Sequence, residues 1–125
     1  MASADYFLSG NPDAARAELA GVLGEHGFTV AHRPDGSWEV ARGSATATAL
    51  FGALAGRRHQ RLVYSVRFFD HQGVPVARFA RDAGAGVLGG AFGLKRSEDV
   101  FAEVSEAIAA RLHGRGHLAH LLRGA

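Results

Sequence analysis

The sequence predicts an α+β fold: a two-layer sandwich in which an antiparallel sheet of two hairpins carries N- and C-terminal helices on one face. Three observations lead there. Residues 61–81 read as two strands about a tight turn, residues 28–41 as a second and shorter pair, and apolar residues at 14–23 and 100–112 recur with helical spacing. The strongest of these is the first. Leu62, Tyr64, Val66 and Phe68 alternate with Arg61, Ser65 and Arg67, and the break Asp70-His71-Gln72-Gly73 offers a glycine able to take positive φ.

In chain order, Asn11-Pro12-Asp13 opens the first helix, with Asn11 as N-cap and Pro12 in the first turn. Ala14, Leu19, Val22 and Leu23 form its apolar stripe, Arg16 and Glu18 point outward, and Gly24 to Gly27 ends it. Residues 28–32 form a strand with Phe28 and Val30 facing one way. Arg33-Pro34-Asp35-Gly36 is a turn, and residues 37–41 return with Trp38 and Val40 inward. Residues 44–56 fit either a strand or a helix. The spacing of Ala47, Leu50, Phe51 and Leu54, with Ser44 as cap, tilts the reading to helix. After the central hairpin, residues 83–94 read as a flexible apolar loop. Ser97 then caps a helix whose stripe is Val100, Val104, Ala107, Ile108 and Leu112, closed by His113-Gly114-Arg115-Gly116. Tyr64, Val66, Phe68, Trp38 and Val104 are expected to share one core.

A chain of 125 residues with 47% apolar and 21% charged residues suits one domain, residues 1–125. Residues 1–10 and 114–125 are expected to be flexible or loosely docked tails. The absence of cysteine excludes disulfides, thiolate metal sites and a cysteine nucleophile. The first residues carry no basic stretch before an apolar run, and no apolar stretch approaches the roughly 20 residues of a membrane span, so a cytoplasmic location is expected. Net charge is only +2, but it is unevenly placed: residues 57–96 carry eight basic side chains against two acids, around the central hairpin.

Four constellations carry possible chemistry. Gly84-Ala85-Gly86-Val87-Leu88-Gly89 matches the dinucleotide pattern, yet no parallel strand ending in an acid can follow it. A looser anion site survives, in which Gly84, Gly86, Gly89, Gly90 and Gly93 expose backbone N–H groups beside Lys95 and Arg96. Its competitor is a loop that packs closely and binds nothing. Arg61, Arg67, Arg78 and Arg81, with Arg57 and Arg58, could form a basic face for nucleic acid, against the plainer reading of a solvated arginine surface. His113, His117 and His120 have the spacing of ligands on one helix, but Gly114 and Gly116 interrupt it and no acid stands nearby, so no metal is expected. No nucleophile, base and acid can be grouped, and an enzyme is the least favoured class.

Two resemblances add to this. Trp38, Ala41-Arg42-Gly43-Ser44, Gly52-Ala53-Leu54-Ala55, Gly89-Gly90-Ala91-Phe92-Gly93 and Gly116-His117-Leu118 together resemble an uncharacterised family of small α+β proteins from high-GC Gram-positive bacteria. That resemblance implies the fold class and brings no activity or catalytic residue. Residues 65–73, Ser-Val-Arg-Phe-Phe-Asp-His-Gln-Gly, are similar to a hairpin of haem-carrier proteins, but the rest of that pattern is missing and no cofactor is expected. The function expected is a non-catalytic binding module for an unknown protein partner or for itself as a homodimer. The alternatives are a small phosphorylated ligand or nucleotide at residues 84–96 and, less favoured, nucleic acid on the basic hairpin.

Overall fold

A computed structural model describes residues 2–43, 61–81 and 90–124. The fold is α+β. The elements are β1 (Ser3–Leu8), α1 (Pro12–Glu25), β2 (Thr29–His32), β3 (Trp38–Arg42), β4 (Leu62–His71), β5 (Val74–Arg81), α2 (Gly90–Gly114) and β6 (Leu118–Gly124). The six strands form one sheet in the order β2-β3-β4-β5-β1-β6, and each neighbouring pair is antiparallel. The question of helix or strand at residues 44–56 lies outside the described residues.

Local chemistry explains the elements that the sequence foresaw. The Asn11 side chain accepts hydrogen bonds from the N–H groups of Asp13 and Ala14, at 2.8 and 3.2 Å, and so satisfies two donors that have no partner within α1. Gln72 and Gly73 both take positive φ, 52° and 83°, the backbone that a two-residue turn needs to match the twist of β4 and β5. In the 33–37 turn, Asp35 accepts from both the N–H and the hydroxyl of Ser37. The Ser37 hydroxyl and N–H hold the Asp35 carboxyl below its ordinary range.

Strands and both helices contribute to a single core. Tyr6, Val40, Tyr64, Val66, Ala77 and Phe79 from the strands are fully buried with Leu23 of α1 and Val104, Ile108 and Leu112 of α2. Trp38 belongs to this core, whereas Phe68 is only partly buried, standing edge-on to Trp38 with the Arg16 guanidinium 4.3 Å from its ring centre. The stripe of α1 runs through Ala15 rather than the expected Ala14, which is exposed, and Phe101 joins the stripe of α2.

Three expectations are corrected. The sheet has six strands, not four, because the ends of the chain are strands rather than tails: β1 lies between β5 and β6. Their alternation is masked in sequence by the adjacent Tyr6-Phe7-Leu8 and Leu121-Leu122, and each becomes a strand only beside its partner. Second, α2 begins at Gly90, seven residues before the expected cap Ser97. Two glycines cost about 1 kcal/mol each in a helix interior, a small term in a helix anchored by Val100, Val104, Ile108 and Leu112. Ser97 does not cap. It is buried, and its hydroxyl donates to Tyr64 Oη at 3.3 Å. Third, the turn after β1 ties both ends of the chain together. The Ser9 N–H and hydroxyl donate to the carbonyls of His117 and Gly116, both at 2.9 Å, and Gly10 takes φ 73°, a left-handed backbone that would also bring a side chain's Cβ within 3.2 Å of the His117 ring.

Two phenols suspend α2 over the sheet. Tyr6 Oη donates to the Ser105 carbonyl at 2.8 Å and Tyr64 Oη to the Ser97 carbonyl at 2.7 Å, both fully buried. Burial pushes both phenols up from their ordinary value near 10. The unfolded chain therefore releases these protons first as pH rises. Stability from this source is complete below about pH 10 and is lost as pH climbs above it towards the folded values. The chain has no cysteine and a single lysine, so few other groups titrate there. Urea midpoints should stay level to about pH 9 and fall above about pH 10, and the double variant Tyr6→Phe, Tyr64→Phe should flatten that fall. An unchanged alkaline slope in the double variant would exclude the two phenols as its source.

Candidate functional site

The face of the sheet turned away from the helices is built in rows by strand register. One row runs Phe69, Val76, Phe7 and His120 across β4, β5, β1 and β6. The next runs Arg67, Arg78, Asp5 and Leu122, and a third runs Glu39, Ser65, Ala80, Ser3 and Gly124. Among the described residues, Phe69 and Leu122 are the exposed large apolar side chains, at 37% and 50%, and both lie on this face. Val76 is buried between Phe69 and Phe7 in the register. The Phe7 ring meets His71 edge-on at 5.9 Å and His120 at 5.6 Å between centroids.

Charge is arranged beside this apolar row. Arg78 makes a two-pronged ion pair with Asp5, Nε to Oδ1 at 2.8 Å and Nη2 to Oδ2 at 2.9 Å. The Asp5 carboxylate raises the Arg78 pKa further. The same guanidinium lies 4.9 Å from the centre of the Phe69 ring, which fixes the ring against the charged row. Arg67 stands directly across from Arg78 and is exposed.

The expected basic face is thus only partly assembled. Arg67 and Arg78 share the outer face, but Arg81 pairs in register with Tyr64 and so falls on the helix side. The reason is parity: Arg78 and Arg81 are three apart, and a strand alternates with period two. Arg61 precedes β4 and takes part in an interaction of its own. Arg57, Arg58, Gly84, Gly86 and Gly89 lie outside the described residues. Gly90, Gly93, Lys95 and Arg96 belong to α2, not to a loop. His113 is at the end of α2, His117 follows it and His120 is in β6, so the three histidines share no helix, and among the described residues no group of three metal-ligating side chains comes together.

A second concavity lies on the helix side. A cleft of about 300 Å³, part of it open to solvent, is lined by Ala2, Tyr64, Arg81, Ser97, Glu98 and Phe101. Its central polar groups already satisfy one another, since Tyr64 Oη donates to Ser97 and accepts from the Ser97 hydroxyl. Among the described residues its titratable lining groups are Glu98, Tyr64 and Arg81, with no histidine beside them. The remaining ion cluster, Arg111 with Glu18 and Glu25, clips α2 to α1 and serves packing.

No protein-family model matches this chain, and no curated protein matches it in sequence. The resemblances noted above rest on their quoted motifs alone.

The alternation that sets Ser65 and Arg67 opposite Tyr64 and Val66 extends to Phe69, but Phe7, Asp5 and Leu122 escape it, because these sit on the strands taken for tails. The alternation of Asp5 and Phe7 with Tyr6 and Leu8 was the available signal. The Asp5–Arg78 pair is solvated on the arginine side, 47% exposed, so its contribution is modest. Asp5→Asn and Arg78→Gln should each lower stability by less than about 1 kcal/mol, and the double variant by no more than the larger single loss plus a few tenths. Fully additive losses in a double-mutant cycle would show that the pair is not coupled.

Proposed function

We propose that this protein is a non-catalytic interaction module that holds a protein partner on the outer face of its sheet. In this reading the fold is a two-layer sandwich: both helices cover one face, and the other is the working surface. The single observation that carries it is the placement on that face of Phe69 and Leu122, the exposed large apolar side chains among the described residues. Three strand spacings separate β4 from β6, about 14 Å, a suitable width for a partner's helix or strand pair. The fitting partner brings an apolar side chain to the Phe7–Val76–Phe69 row and carboxylates opposite Arg67. Arg78 already has Asp5, so a long run of phosphates would find fewer cations here than the sequence suggests, which disfavours nucleic acid.

Phe69→Glu places a charge at the β4 end of the apolar row without touching the core. A partner retained by immobilised wild-type protein should be lost from Phe69→Glu and kept by Glu103→Arg on the exposed side of α2, with melting temperatures of both variants within about 2 °C of wild type. Equal retention by Phe69→Glu would sink the outer-face reading.

A second reading, a small phosphorylated ligand at residues 84–96, draws on the start of α2 at Gly90. The first N–H groups of a helix lack intrahelical partners and favour anions, and they now lie within the glycine run. Inorganic phosphate should then raise the melting temperature with saturation, and Lys95→Ala with Arg96→Ala should remove that shift. A melting curve indifferent to phosphate up to tens of millimolar, on the order expected for a weak site, eliminates this reading.

A further inference from the structure

The two edges of the sheet are treated differently. β2, at one edge, has only four residues and runs directly into Arg33-Pro34, which stops any extension. Short edges and prolines are standard protection against unwanted strand pairing. β6, at the other edge, has seven residues, no proline and no lysine. Its single fully charged side chain, Arg123, is drawn to the helix side by Glu106 of α2 and by the Ser105 hydroxyl. Among the described residues, β6 pairs with β1 alone. Its far side therefore presents backbone N–H and C=O groups in a row.

A bulge limits the usable length. Phe7 pairs with His120 but Leu8 with Leu118, so Ala119 is the extra residue, and the regular part of β6 is residues 120–124. The midpoint of that segment is Leu122, the most exposed large apolar side chain recorded.

We propose that two copies of this chain pair β6 against β6 across a two-fold axis at Leu122, joining their sheets into one of twelve strands. Antiparallel pairing about that midpoint sets Leu122 against Leu122, Leu121 against Arg123 and His120 against Gly124. No two full charges stand opposite, and each exposed Leu122 is covered by its own copy. A residue on the axis meets itself, so an exposed leucine there is self-complementary in a way that a foreign strand need not be. The two outer faces become continuous, with the Phe69–Val76–Phe7–His120 rows at either end. The pairing goes beyond the interaction-module reading by using the edge of the sheet; Leu122 belongs to both surfaces, and the dimer leaves the Phe69–Val76–Phe7 part of the face open to a partner.

The chain has no cysteine, which makes the axis directly testable. Two residues facing each other across antiparallel strands have Cβ atoms about 4.5–5.5 Å apart, close enough for a disulfide after small adjustment. Leu122→Cys should give a covalent dimer under mild oxidation at micromolar protein, whereas Phe69→Cys, also exposed but far from the axis, should remain monomeric on non-reducing gels. Leu122→Lys sets two ammonium groups together and should shift sedimentation from dimer to monomer with an unchanged circular dichroism spectrum. Wild-type protein that sediments as a monomer at all concentrations overturns the proposal. So does cross-linking of Phe69→Cys as fast as Leu122→Cys, which would place the copies face to face and leave the outer-face reading standing. Loss of partner capture by Phe69→Glu with intact Leu122→Cys cross-linking separates the two surfaces.

Discussion

The structure depends on where two buried phenol hydroxyls find acceptors. Tyr6 and Tyr64 are both fully buried, and a buried hydroxyl without a partner costs on the order of 1–3 kcal/mol. No side chain of the sheet answers them. The acceptors are main-chain carbonyls of α2, at Ser105 and Ser97. A helical carbonyl keeps a second lone pair after its own intrahelical bond, so the phenols are satisfied without opening the helix. The acceptors are eight residues apart, about 12 Å along a helix. In the sheet, the tyrosines stand on strands separated by β5, and their partners on β5, Ala77 and Arg81, are four residues apart. A helix that serves both must run obliquely across β1, β5 and β4, and this orientation sets what else α2 can cover.

With α2 committed in that direction, α1 fills the space beside it. Leu19, Val22 and Leu23 complete the core, and the Arg111 guanidinium reaches both Glu18 and Glu25 across the helix pair. Apolar packing and paired polar groups fill the helix side apart from the solvent-open cleft at Tyr64, Arg81 and Glu98. Among the described residues, the outer face and the β6 edge add aromatic rings held by cations and histidines, an exposed leucine, and a row of strand N–H and C=O groups. This distribution is what the proposed interaction module requires, an apolar surface bordered by charge.

The terminal strands give the fold its reach. β1 is the first element in the chain yet sits between β5 and β6, so the sheet cannot be completed until the two ends of the chain meet. The Ser9–Gly10 turn is where they do, clasped to Gly116 and His117. Among the described residues β6 forms one edge of the sheet, and the side chains that β1 and β6 contribute shape the outer face.

By itself the sequence determined the elements whose signals are local. The Asn11-Pro12 cap, the 33–37 turn, the Gln72-Gly73 reversal, the inward Trp38, Val40, Leu62, Tyr64 and Val66, and the stripe of α2 from Val100 to Leu112 all follow from spacing and turn chemistry within a few residues. Only the tertiary structure decided the rest. It made strands of residues 3–8 and 118–124, because a strand with adjacent apolar residues has no readable face until a neighbour is hydrogen-bonded to it. It carried α2 back to Gly90, because packing of the later turns outweighs two glycines. It turned Arg81 inward while leaving Arg78 outward beside Asp5, a residue 73 positions away. The candidate surface belongs to this second group: Phe7, Phe69 and Leu122 are brought together by register between strands distant in sequence, and no local pattern encodes which strands will be neighbours.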